Sequence, residues 1–211
     1  MKIKLIAPLE RRNDAISSAE TFKIQKVGLP LLAALTQAEH EVKIVDESFA
    51  PDDPSDEVDL VGISVLTDTV LRAYHLADFY TRRGVIVVMG GIHPTVLPEE
   101  ALQHADSVVV GEAENIWPQL VKDAASNRLR RIYRADEPAN LNNLPAPRRD
   151  LYADALSRGF TPLAVGIETS RGCPYDCEFC SIGHTVGRKY RTRPIADVIS
   201  EMESINLPFL F

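Results

Sequence analysis

Cysteine is scarce in this 211-residue chain, and the three present, Cys173, Cys177 and Cys180, share one short stretch. No apolar run approaches the roughly 20 residues a membrane helix needs, and the opening "MKIKLIAPLE" meets charge too early for the apolar core of a signal peptide. The expected location is therefore cytoplasmic, without a membrane span. Thiols stay reduced there, so clustered cysteines suggest metal or redox chemistry more than a disulfide. Positive charge is also in deficit: 23 Lys and Arg face 30 Asp and Glu, a net of −7. Non-specific nucleic-acid binding needs a basic footprint, so no nucleic-acid partner is expected. Two basic runs, "RLRRIYR" and "GRKYRTR", read as solvated faces. No internal repeat or low-complexity segment stands out.

Up to about residue 135 strands and helices alternate. "KIKLIAP", "EVKIVDE", "DLVGISV", "VIVVMGG" and "DSVVVGE" read as five strands. The continuous apolar run of the fourth suits a strand buried on both faces of a parallel sheet. Between them lie helical stretches: "GLPLLAALTQAEH", with Pro30 in its first turn; "TVLRAYHLADFYTRRG", with Val70, Leu71, Tyr74, Ala77 and Phe79 at helical spacing; "LPEEALQHA"; and "NIWPQLVKDAA". The alternation predicts an α/β fold with a doubly wound parallel sheet, which binds ligands outside the carboxyl ends of its strands. Residues 136–160, rich in proline and asparagine at their start, read as a linker. From 161 a second unit begins: "PLAVGIETS" as a strand, the cysteine loop, "RPIADVISEMESI" as an amphipathic helix and "LPFLF" as the start of another strand. These elements cannot enclose a core of their own, so the chain is expected to be the front piece of a longer protein.

The spacing CxxxCxxC in "ETSRGCPYDCEFCSI" supplies three thiolates and no fourth. His184 would complete a Cys3His zinc site on paper, though "SIGHTVG" brackets it with glycine. A disulfide would strand one thiol. A cubane iron–sulfur cluster fits the number better: three protein sulfurs leave one iron open to an outside ligand, which points to chemistry at that iron. Tyr175 and Phe179 either shield such a cluster or pack onto the rest of the fold.

CxxxCxxC with an aromatic before the third cysteine, following "ETSRGCP", strongly resembles the radical S-adenosylmethionine superfamily over residues 163–211. The resemblance implies a [4Fe-4S] cluster on Cys173, Cys177 and Cys180, with S-adenosylmethionine chelated at the open iron and Phe179 near its adenine. It implies reductive cleavage to a 5′-deoxyadenosyl radical, a small-molecule substrate, and an electron donor such as flavodoxin or ferredoxin. It makes 161–211 the first unit of a partial (β/α) barrel, whose active site is expected at the strands' carboxyl ends, where the cysteine loop falls.

The doubly wound region ahead of that motif resembles the cobalamin-binding domain, flavodoxin- or Rossmann-like, of the cobalamin-dependent members of this superfamily. "SVL" at Ser64–Leu66 and "GG" at Gly90–Gly91 follow the third and fourth strands, and "GEAE" begins at Gly111 and Glu112 after the fifth. Glycine lets backbone approach a nucleotide tail, and a serine hydroxyl can bond it. The resemblance therefore implies cobalamin contacts at Ser64, Leu66, Gly90, Gly91, Gly111 and Glu112. No DxHxxG occurs, so the histidine that ligates cobalt from below is missing; His93 is expected to pack its loop rather than replace it. The resulting expectation is methyl transfer to an unactivated centre or a radical rearrangement. The alternatives are a radical protein whose first domain does not bind cobalamin, and a non-catalytic cobalamin- or zinc-binding module.

Overall fold

The computed structural model describes residues 1–9, 24–152 and 164–205. Six strands form one wholly parallel sheet: β1 (Lys2–Ala7), β3 (Glu41–Asp46), β4 (Leu60–Ser64), β5 (Ile86–Gly90), β6 (Ser107–Val110) and β7 (Ile132–Arg134). Their order is β3-β1-β4-β5-β6-β7, the flavodoxin-like winding with one strand added. The direction of winding reverses between β1 and β4, which is where such folds open a ligand crevice.

Alternation within each strand distributes the core over two faces. Ile3, Leu5, Leu60, Val88 and Val109 face one side, where α1 (Gly28–Leu35) and α5 (Trp117–Ala125) pack. Ile6, Val61, Ile63, Val87, Met89, Val108 and Val110 face the other, against α2 (Val70–Thr81) and α4 (Pro98–Ala101). Both faces being covered explains the unbroken apolar runs of β5 and β6. In α5, Trp117, Leu120, Val121 and Ala124 fall at helical spacing and are buried, and Pro118 sits in the first turn where its missing N–H costs nothing. In α2 the buried positions are Ala73, Tyr74, Leu76, Ala77 and Tyr80, whereas Leu71, expected inside from its spacing, is exposed. Tyr80, on the opposite face from Leu71, is buried: its ring fills the core while its hydroxyl donates to Asp52 and accepts from the fully buried Lys4 Nζ.

A further departure from the sequence reading concerns charge. The run "RLRRIYR" contains β7, whose Tyr133 is buried and donates its hydroxyl proton to Asp123 at 2.7 Å. In "GRKYRTR" the side chains of Arg191 and Arg193 are only 13% and 6% exposed. In the first run the arginines stay exposed, as a solvated face should, and only Tyr133 enters the core; in the second, buried carboxylates pair with Arg191 and Arg193.

The second unit starts on a two-residue strand, β8 (Ala164–Val165), pairing in parallel with β2 (Ile24–Gln25) from the segment ahead of α1. The expected long strand "PLAVGIETS" ends there: Gly166 N–H donates the last ladder bond, to Gln25 C=O at 2.9 Å. Beyond it Arg193 replaces a neighbouring strand, its guanidinium donating to Glu168 C=O and its N–H to Thr169 C=O. A short antiparallel pair then closes the cysteine loop, β9 (Ser170–Arg171) with β10 (Arg191–Thr192), and α7 (Ile195–Ser204) follows. The strand expected at "LPFLF" lies outside the described residues. Among the described residues no helix is long and apolar enough to cross a membrane.

Candidate functional site

The carboxyl ends of β4, β5 and β6 form the ligand edge. Val65 N–H donates to Gly90 C=O at 2.8 Å, drawing the ends of β4 and β5 together. The next residue, Gly91, has φ +105°, and a Cβ there would lie 2.8 Å from Val65 O. Only glycine makes this approach without strain. Thr95, in α3 (Ile92–Val96), stitches the edge further: its Oγ1 donates to Gly91 C=O at 2.7 Å and accepts from Gly111 N–H at 2.9 Å. Gly111 also has positive φ, +83°. Sequence reasoning did not single out Thr95; its position four residues after the glycine pair was the available signal.

Below this edge, on the α1 and α5 side, lies an apolar slot of about 60 Å³ lined by Leu29, Leu32, Gly62, Ser64, Gly90 and Trp117. Gly62 is part of its floor: a Cβ there would meet Leu5 Cδ2 at 2.9 Å. The slot is narrow, with Leu29 and Leu32 of α1 forming one wall. Glycine floor, apolar walls and a serine at the mouth suit the base of a nucleotide tail. Leu66, two residues beyond the end of β4, is 42% exposed and does not line the slot.

His93 turns away from the slot into the opposite layer. Its ring is buried, with Nε2 3.2 Å from the Tyr74 hydroxyl, which itself donates to Glu100 at 2.9 Å. Burial, with the Glu100 carboxylate behind it, raises the Tyr74 phenol well above its ordinary pKa.

The cysteine loop leaves β9 through Gly172, whose φ is +86° and whose Cβ, if present, would sit 2.2 Å from Lys189 O. Cys173 N–H donates to Gly187 C=O at 3.2 Å, and Cys180 N–H to Cys177 C=O at 3.0 Å. Cys173 and Cys180 are half-buried and Cys177 is exposed; all three are free thiols. Among the described residues no three His, Cys, Asp or Glu side chains gather closely enough to hold one metal ion, and His184 is exposed at the end of α6 (Ile182–Thr185). A Cys3His zinc site needs that gathering. A cubane binds each thiolate to a different iron and so suits a wider set. Phe179 and Tyr175, 92% and 75% exposed, project from the loop rather than packing onto the fold.

The loop sits against the sheet's ligand edge. Helix α6 packs on α3, the helix that follows Gly91. Glu112, expected beside a cofactor, has its carboxylate engaged by the Arg191 guanidinium and by Ala139 N–H, the latter at 2.7 Å. Partial burial raises its pKa, but the Arg191 and Ala139 hydrogen bonds and the Arg171 charge outweigh that and hold it below the usual carboxylate range.

Residues 18–121 match the family model described as "B12 binding domain". Bacteriochlorophyllide d C-8(2)-methyltransferase of Chlorobaculum tepidum is 35% identical over 176 residues, covering 79% of this chain and 38% of that protein. An uncharacterized methyltransferase of Pyrococcus horikoshii is 30% identical over 239 residues, 99% of this chain and 51% of the relative. The chain thus spans between 38% and 51% of these two relatives. The radical S-adenosylmethionine methyltransferase TsrM from Kitasatospora setae, solved with tryptophan substrate and an S-adenosylmethionine analog, superposes with a TM-score of 0.69. At 20% identity over 96% of this chain and 45% of that one, it shows a shared fold. The chain therefore carries a B12-binding domain over residues 18–121, is similar along most of its length to methyltransferases, and shares the fold of a radical S-adenosylmethionine methyltransferase.

Proposed function

We propose that the protein is a radical S-adenosylmethionine methyltransferase in which a [4Fe-4S] cluster and a cobalamin are held side by side at one edge of the sheet. The observation that carries this is the docking of α6, directly after the cysteines, on α3, directly after Gly90–Gly91. In this reading residues 1–135 are the corrinoid domain, 136–160 the connection, and 161–211 the first β/α unit of the barrel.

When bound, the cluster supplies the electron that cleaves S-adenosylmethionine, and the corrinoid supplies a methyl carrier. The chain's own residues do the rest. Cys173, Cys177 and Cys180 would hold the cluster, and with no fourth protein thiolate it would keep a place for S-adenosylmethionine. Phe179, free of packing, offers its ring to the adenine. Gly90, Gly91 and Gly111 present backbone to the corrinoid without side chains in the way, Ser64 offers a hydroxyl to its tail, and the exposed Leu66 offers an apolar contact. No histidine lines the slot among the described residues. Methyl transfer is favoured over rearrangement because the relatives named are methyltransferases. The exposed cysteine loop leaves room for a flavodoxin or ferredoxin to approach as electron donor.

Anaerobic reconstitution with iron, sulfide and hydroxocobalamin tests both halves. The expected result is about four irons per chain with a corrinoid spectrum that survives desalting. Iron without corrinoid would favour a second reading, suggested by the narrow slot, in which the first domain is only a platform. Zinc in place of iron would overturn the assignment.

A further inference from the structure

Four nearly buried side chains join the two units at the base of the cysteine loop. Glu112 and Glu114, in the turn after β6, are 10% and 9% exposed; Arg171 and Arg191, on the paired strands that close the loop, are 12% and 13% exposed. Arg191 forks onto Glu112 and also donates to Ala139 C=O at 2.8 Å and Val186 C=O at 3.1 Å. Arg171 reaches Glu114 at 2.6 Å, Glu168 at 2.8 Å and Glu112 at 3.6 Å. One arginine lies just before the first cysteine and the other beyond the third, so the two carboxylates grip the loop at both of its ends.

We infer that Glu112 and Glu114 are positioning residues: through Arg191 and Arg171 they fix the cysteine loop over the ligand edge of the sheet, and Glu112 does so instead of touching cofactor. The geometry leaves Glu112 little to offer a ligand, since both its oxygens accept from Arg191 and one also from Ala139 N–H. Forked arginine–carboxylate bonds fix direction as well as distance, which the loop lacks from packing. Its apolar residues Tyr175, Phe179, Ile182 and Tyr190 are exposed, so burial does not seat it. The purpose given to the clamp rests on the cofactor reading above; its existence does not.

Hydrogen exchange on the cofactor-free full chain tests the clamp. In Glu112→Gln, the Cys173 amide, bonded to Gly187, and the Arg193 amide, bonded to Thr169, should exchange about ten-fold faster while Val108 and Val65 in the sheet keep their rates. Glu114→Gln should loosen the Arg171 end alone. Glu112→Gln/Arg191→Met should loosen the loop by less than the two single changes added together, because the Glu112–Arg191 pair is lost in both, while the Ala139 and Val186 bonds are lost only with Arg191. Loop rates unchanged in Glu112→Gln and Glu114→Gln would overturn the inference. So would sheet amides accelerating in step with the loop, which is ordinary destabilisation. Hydroxocobalamin retention is measured on the same variants: retention equal to wild type supports positioning, and its loss from Glu112→Gln with the loop undisturbed would make Glu112 a cofactor contact. If the wild-type chain itself retains no corrinoid, the functional reading fails and the exchange comparison still decides the clamp.

Discussion

In the six-stranded sheet, the side chains taken out of water are those of Leu60, Val61, Val87, Val88, Val108 and their helix partners. In the unit from 164 to 205, apart from Ala164 and Val165, they are Arg193 and Glu201. Helix α7 shows the difference most plainly: its one buried position is Glu201, held between Arg149 and Arg193, while Ile195, Ile199 and Met202 face outward. The first region is shaped by apolar burial, which is non-directional and tolerant of exact placement. The second is shaped by paired charges, which are directional and lose heavily when one partner goes. In the proposed reading, where three sulfurs must be presented in a set arrangement, the loop gains from the second kind of support.

The comparison can be tested at both ends. The largest effect should follow Cys173→Ala/Cys177→Ala/Cys180→Ala: iron uptake on reconstitution falls to nothing, while the urea midpoint of the cofactor-free chain stays at the wild-type value. A shifted midpoint would mean that the cysteines contribute to the packed fold. Trp117→Ala removes a fully buried ring that also donates to Thr36 Oγ1 at 2.8 Å. The expected loss is about 3–5 kcal/mol by urea unfolding, felt across the whole sheet. Glu201→Ala leaves two buried guanidiniums without their carboxylate and should cost about 3 kcal/mol, confined to the second unit. Hydrogen exchange should show α7 opening with β5 and β6 unaffected; sheet strands opening with it would erase the distinction drawn here.

Gly91→Ala puts a Cβ 2.8 Å from Val65 O at a positive φ, a strain of roughly 1–3 kcal/mol. It should lower corrinoid retention and leave iron binding intact, and equal loss of both would mean that the two sites are one cooperative unit. The smallest effect concerns acid. Glu112 has a folded pKa below its ordinary 4.5, so its contribution is complete above that value and is lost as pH falls through the folded pKa. Glu47, held by Arg72 in the sheet, is lowered likewise, but apolar packing remains there when it is protonated. Pepsin at descending pH should therefore cut within 172–190 before it cuts the sheet, and simultaneous cutting would refute the ordering.

Much of this was legible in the chain because local pattern reports burial. The alternation of strands and helices predicted five of the six sheet strands, and the cysteine spacing with its preceding "ETSRGCP" pointed to the family. β7 escaped because Tyr133 sits among arginines, so its short strand reads as charge. The helix α3 escaped because "IHPT" carries a proline and little periodicity. Glu112 was read as a cofactor neighbour because it follows a strand in a sheet that binds at that edge. Its partner Arg191 lies 79 residues away, a separation over which no periodicity carries information. The sequence by itself determined which segments could be buried strands and which atoms could bind iron, because both follow from residue type and short spacing. Tertiary structure alone decided which charges meet and which loops share an edge, since that depends on the path of the chain through space.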